Sequence, residues 1–315
     1  MRWIVRALLT LVGLTAMAAA AGVWIYRDLP SDELERKYAT PPSQFIEVDG
    51  VRFHYRDEGQ GPAVVLIHAN WANMLDWQPW VEALSDQYRV VRFDMTGFGL
   101  TGPDPTGDYS VPRTVDLLHQ FTRALGLERF TLTGASLGGT IAMHYAVIHP
   151  RRVERMVLVS PGALNPGVRG RTKPAGLPRW VDLLTIYTPR AIPKAILEGA
   201  FGDPSRVTET LVTRWHEFML REGNRAAQIA RQRQYISGDI DALISRIDVP
   251  VFIMVGELNK QVPVALADEL VTLLGRSPKV DLVIYPTAGH QLVQEIGPKT
   301  ALDMRRYLDS WKIVN

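Results

Sequence analysis

The sequence predicts an α/β fold, an eight-stranded and mostly parallel sheet flanked by helices, with a helical cap inserted late in the chain. Three observations predict it. From Phe45 onward, short apolar runs of strand length alternate with longer amphipathic stretches, the pattern of a doubly wound sheet. Between Gly162 and about Arg246 this alternation stops, and Pro-rich turns separate helical pieces. The composition, 46% hydrophobic and 22% charged over 315 residues, is that of a globular chain able to build one sizeable core.

The first element is the run Ala7 to Tyr26, uncharged and mostly apolar, with Arg2 and Arg6 before it and Arg27 and Asp28 after it. At about 1.5 Å per residue, about 20 residues span a hydrocarbon layer of roughly 30 Å. Residues 1–27 are therefore expected to be a transmembrane anchor. Ala18 to Ala21 would suit a signal-cleavage site, which leaves secretion as the alternative, but apolar residues continue through Val23, Trp24, Ile25 and Tyr26. The basic start implies an N-in, C-out orientation and a periplasmic or otherwise extracytoplasmic body. Residues 28–43, rich in charge and Pro, read as a tether.

Strands are expected at Phe45–Val48, Val51–Tyr55, Ala63–Ile67, Arg89–Phe93, Phe130–Thr133, Met156–Val159, Val251–Val255 and Leu282–Tyr285. Helices are expected at Trp80–Ser85, Thr114–Leu125, Leu137–His149, Ala265–Leu274 and Lys299–Trp311. This divides the chain into a core of residues 44–161 and 247–315 and a cap of residues 162–246. The cap holds thirteen basic and eight acidic residues, a mild excess that reads as a solvated face, with contact to anionic lipid headgroups as the sharper alternative.

Charge and cysteine count exclude several functions. A formal net charge of +2 provides no overall field to draw nucleic acid, so no nucleic-acid partner is expected. With no Cys there are no disulfides, thiolate nucleophiles or Cys-based zinc sites. No H-E-x-x-H or paired ligand spacing calls for a metal, and no phosphate loop calls for a nucleotide; no cofactor is expected.

The informative segment is Phe130-Thr-Leu-Thr-Gly134-Ala135-Ser136-Leu137-Gly138-Gly139, a strand running through G-x-S-x-G into a helix. A turn this sharp projects a serine hydroxyl from the sheet edge, and its glycines permit the crowded backbone. The helix that follows adds free N–H groups and its dipole beneath a developing oxyanion. A serine needs a base, and His290, in Tyr285-Pro-Thr-Ala-Gly289-His290 directly after the last strand, is placed to be one. His54, His119, His144, His149 and His216 read as packing or surface residues.

On these residues the chain resembles the α/β-hydrolase superfamily of serine hydrolases, esterase- or lipase-like, from about Phe45 to Trp311. The resemblance implies a Ser136–His290 pair and an oxyanion hole made by the backbone N–H groups of Asn70 and Leu137. Asn70 has a second reading, a substrate contact through its side chain. His68 would hold the oxyanion loop, and Asp94 would order loops. Two positions depart from the family pattern. The G-x-x-D aspartate that would orient the histidine is replaced by Asn259, in Gly256-Glu257-Leu258-Asn259, and His-Gly is replaced by His68-Ala69. An amide oxygen accepts the imidazole Nδ1–H but brings no charge to stabilise imidazolium. Glu257 is the nearest substitute acid.

The expected activity is hydrolysis of an ester or related acyl bond of a small apolar substrate through an acyl-enzyme, weakened by Asn259. Trp71 and Leu137 would wall the pocket, together with some of Trp180, Tyr187, Trp215, Phe218, Met219 and Tyr235 from the cap. The alternatives are hydrolysis of a C–C bond or lactone on the same fold, and a non-catalytic binding protein that keeps the pocket.

Overall fold

The chain is described by a computed structural model over residues 2–311; Met1, residues 312–315 and the side chains of Ala16, Ala18, Ala19 and Ala20 lie outside the described residues. The sheet strands are β1 (Gln44–Val48), β2 (Val51–Glu58), β3 (Ala63–Ile67), β4 (Arg89–Phe93), β5 (Phe130–Ala135), β6 (Val153–Val159), β7 (Val251–Gly256) and β8 (Val280–Tyr285). They lie in the order β1-β2-β4-β3-β5-β6-β7-β8. The β1–β2 and β2–β4 pairings are antiparallel and the rest are parallel. Every expected strand is present, several of them a few residues longer.

The helices are α1 (Arg2–Ile25), α2 (Ser31–Tyr38), α3 (Gln78–Leu84), α4 (Val111–Ala124), α5 (Leu137–Ile148), α6 (Ala191–Ala200), α7 (Glu209–Leu220), α8 (Asn224–Gln234), α9 (Ile240–Ile244), α10 (Val264–Leu273), α11 (Leu292–Glu295) and α12 (Gly297–Ser310). The period-2 alternation of each parallel strand sends neighbouring residues to opposite layers. In β3, Val65 and Ile67 join the core that holds α4, α5 and α10. Val64 and Leu66 join the one that holds Trp77, Trp80 and α12. Each such side chain contributes about 1.5–3 kcal/mol by leaving water, which is why these strands read as continuous apolar runs.

Helices α6 to α9 fall between β6 and β7, where the strand signal vanishes. Thr208 caps α7 by accepting from the Leu211 N–H at 3.2 Å, and the fully buried Trp215 of α7 is part of the second core.

Two expectations for the N-terminus are corrected. Among the described residues no helix is long and apolar enough to cross a membrane. This overturns the expected transmembrane anchor and the extracytoplasmic placement that rested on it. The physical reason lies in the make-up of α1. Arg2 and Arg6 occupy its first two turns, Thr10, Gly13, Thr15 and Gly22 interrupt the apolar run, and six of the other eighteen residues are alanine, which offers little apolar area. Its end is also tied to the cap, with Gly22 close to Tyr187 and the Tyr26 ring edge-on to Tyr187 at 5.1 Å. Nor is the following segment a bare tether. It forms α2, whose Leu34 packs with Leu100 and Phe218, while Leu29 exchanges backbone bonds of 2.7 and 2.9 Å with Leu220 and Glu222.

Candidate active site

Ser136 sits where β5 turns into α5, with φ +49° and ψ −112°. Positive φ is costly for a residue with a Cβ, and the surroundings enforce it. The Ser136 carbonyl accepts from the N–H groups of Gly139 and Gly162 at 2.9 Å, and its own N–H donates to Val159 at 2.9 Å. The turn is so tight that a Cβ on Gly134 would overlap the Gly138 carbonyl, and one on Gly138 would overlap the Ile67 carbonyl. Glycine at both positions is therefore a steric requirement.

His290 lies in the loop between β8 and α11. Its Nε2 is 2.9 Å from Ser136 Oγ and its Nδ1 is 3.2 Å from Asn259 Oδ1. The Asn259 oxygen also accepts from the N–H groups of Gln261 and Val262, both at 3.0 Å. Those two donors fix the amide orientation, because its nitrogen cannot accept them. Nδ1 therefore carries the imidazole proton and Nε2 is free to accept from the serine hydroxyl. Asn259 Nδ2 is buried and has no partner. Burial lowers the His290 pKa to about 4, and no carboxylate opposes that shift. Glu257 is not a substitute acid: it is exposed, and its N–H serves the Tyr285 carbonyl.

Sequence reasoning missed a further contributor, Glu295. Its buried carboxylate accepts from the N–H groups of Gly289 at 2.8 Å, Gly202 at 3.0 Å and Asp203 at 2.9 Å. It thus joins the loop before His290 to the segment after α6, and the carbonyl of Ala200, the last residue of α6, also accepts the His290 N–H at 2.6 Å. A lone Glu five residues past a histidine gives no sequence signal for such a role.

Opposite Ser136, the loop after β3 is held by His68. The buried His68 ring donates from Nδ1 to the Ala69 carbonyl at 2.7 Å and accepts the Met95 N–H on Nε2 at 3.0 Å. Burial lowers its pKa, so it fastens loops as a neutral group. Asp94 accepts from His54 at 2.7 Å and from the N–H groups of Met74 and Leu100 at 2.8 and 3.0 Å. Burial raises the Asp94 pKa, but these partners outweigh it and the net direction is down.

Asn70 and Leu137 border one cavity of about 260 Å³ with Ser136 and His290. Leu137 is the first residue of α5, so its N–H has no acceptor within the helix. Trp71, at φ +64°, contributes a wall. Among the expected cap aromatics only Tyr235 lines this cavity. Trp215, Phe218 and Met219 are buried in the packing, whereas Trp180 and Tyr187 are exposed. The lining is also more polar than expected, with Asn165, Arg231, Gln232, Gln261 and Gln291 beside Val168 and Ile196. No group of three or more His, Cys, Asp or Glu stands together as a metal site among the described residues.

An uncharacterised protein of Mycobacterium tuberculosis is 33% identical over 165 residues, 52% of this chain and 48% of the relative, so the match spans about half of that relative's length. The 2-hydroxy-6-oxo-6-(2'-aminophenyl)hexa-2,4-dienoic acid hydrolase of Metapseudomonas resinovorans is 24% identical over 269 residues, covering 82% of this chain and 87% of the relative. In fold, the crystal structure of a carboxylesterase from Bacillus subtilis superposes with a TM-score of 0.69 at 20% identity, covering 88% of this chain and 95% of that one. The family model for the α/β hydrolase fold matches residues 62–295, most of the chain, and the chain belongs to that family.

Proposed function

We propose that the protein is a serine hydrolase that cleaves an ester or related acyl bond through an acyl-enzyme. The observation that carries this reading is the 2.9 Å contact between Ser136 Oγ and the Nε2 of a neutral His290, made at a strained strand-to-helix turn. Ser136 attacks the carbonyl carbon while His290 takes the hydroxyl proton. As the C–O bond to the alcohol breaks, His290 returns that proton to the leaving oxygen. A water, deprotonated by the same imidazole, then releases the acid and regenerates the hydroxyl. The backbone N–H groups of Asn70 and Leu137 hold the oxyanion, a role worth about 10²–10³ in turnover for each donor. Asn259 keeps the imidazole in the productive tautomer without stabilising its charged form, and Trp71 walls the acyl site.

Kinship with hydrolases supports the class of reaction, and the cavity dimensions suit a small substrate. Asn259 favours a second reading, a pocket that binds without turnover. One experiment separates them: labelling with an activated phosphonate together with turnover of p-nitrophenyl esters. The expected result is labelling and slow turnover, both lost in Ser136→Ala. Folded wild-type protein that shows neither would overturn the hydrolase reading.

A further inference from the structure

We infer that Arg231 makes the cavity a site for a carboxylate carried by the acyl part of the substrate, so that the preferred substrate is a monoester of a dicarboxylic acid rather than a plain alkyl ester. This rests on the hydrolase reading of the cavity and adds the chemistry of its substrate.

Arg231, in α8, is 2% exposed and borders the same cavity as Ser136 and His290. It is the one formally charged side chain among the described residues that line it, His290 being neutral. Four of its N–H contacts go to uncharged oxygens: Nη1 to the Tyr109 carbonyl at 3.2 Å and Thr114 Oγ1 at 3.1 Å, Nη2 to the Thr96 carbonyl at 2.8 Å and Thr96 Oγ1 at 2.9 Å. The Nε–H has no partner. No carboxylate bonds this guanidinium, and Asp104, the nearby acid with the best claim to balance it, is already held by Arg113 at 2.9 Å. The faces of Phe98 and Tyr109, 5.3 and 5.4 Å away, offer only weak compensation.

A buried cation without a counter-ion is costly. Burial lowers its pKa to about 10, yet it stays charged at neutral pH. With asparagine in place of the usual acid at 259, nothing acidic in the cavity lining balances it either. A ligand carboxylate would supply the missing charge. The polar lining from Asn165, Gln232 and Gln261 suits such an acyl group better than an alkyl chain.

The test compares kcat/KM for mono-4-nitrophenyl adipate with that for 4-nitrophenyl hexanoate, esters of equal chain length that differ in the terminal carboxylate. Wild-type protein should favour the adipate by at least about tenfold, the lower end of what a desolvated charge pair is worth. The preference should collapse in Arg231→Gln and persist in part in Arg231→Lys, which keeps the charge. An arginine that merely ties the cap to the core would give no preference in the wild type, and that result overturns the proposal. A second readout needs no turnover: calorimetric binding of adipate, against hexanoate, to Ser136→Ala. If neither ester is cleaved and Ser136 resists the phosphonate, the hydrolase reading fails, and adipate binding alone then decides for or against the carboxylate site.

Discussion

Replacing Asn259 by aspartate should convert a neutral hydrogen bond into a charged one at the same 3.2 Å contact with His290 Nδ1. Two unit charges about 4 Å apart interact by about 4 kcal/mol at an effective dielectric constant of 20. At about 1.36 kcal/mol for each tenfold in proton affinity, that would offset the whole effect of the burial that holds His290 at about 4. The gain is reduced by a second carboxylate oxygen placed where Nδ2 now has no partner. It is helped by the Gln261 and Val262 N–H groups, which already point at the first oxygen. The expected result is an increase in kcat of about 10²–10⁴, the upper figure being the handicap of the converse exchange in a serine protease. His290 works only when unprotonated, so activity appears as pH rises through its folded pKa. The acid limb of kcat/KM should lie near pH 4 in the wild type and move toward neutrality in Asn259→Asp. The assay is ester turnover from pH 4 to 9 on both proteins, with circular dichroism to verify folding. A folded variant with an unmoved acid limb and no gain at pH 8 would refute the coupling of residue 259 to the base.

Glu295→Gln presents an NH₂ to at least one of three backbone donors, so the His290 loop should loosen, with kcat falling about tenfold or more at little change in KM, read by steady-state kinetics. Gly138→Ala forces a Cβ onto the Ile67 carbonyl and should lose more than about 3 kcal/mol or fail to fold, as judged by urea titration. Trp80→Ala empties a fully buried site and breaks the 3.0 Å bond to Thr300, a loss of about 3–5 kcal/mol in the same titration. Because the His290 pKa is depressed on folding, the unfolded chain binds the extra proton between about pH 6.5 and 4. Stability should therefore fall by up to about 3 kcal/mol across that window as pH drops, and His290→Gln should lose less.

The sheet was legible because its information is local. Val64 to Ile67 in β3 and Phe252 to Val255 in β7 are buried on both faces, so each prints an unbroken apolar run, and the turn residues between them mark the ends. The elbow was equally legible, since Gly134 and Gly138 are imposed by contacts within a few residues of Ser136 or with the neighbouring strand. What the sequence did not disclose depends on long-range packing. Trp215 and Trp180 look alike as cap aromatics, yet one is fully buried and the other exposed, because only the docking of α7 against the sheet distinguishes them. At the N-terminus, too, the apolar run did not disclose the packing of its end on the cap, where the Tyr26 ring meets Tyr187.

The candidate site combines these two kinds of information, and Asn259 shows how they interact. Sequence alone identifies the missing charge but cannot say whether another acid has moved in to replace it. The geometry narrows the choices: Glu257 faces solvent, and Glu295 bonds the backbone before His290 rather than its ring. His290 is therefore oriented by an amide and by backbone anchoring, with no carboxylate on Nδ1. In the proposed mechanism, orientation without charge would leave His290 correctly aimed but weak as a general base, which predicts slow acylation rather than lost binding. The kinetic signature would be a low kcat with an ordinary KM and an acid limb extending to low pH. The positive φ of Ser136 and the His290 contact with its hydroxyl favour the catalytic proposal over a pocket that only binds, and phosphonate labelling of Ser136 is the measurement that decides between them.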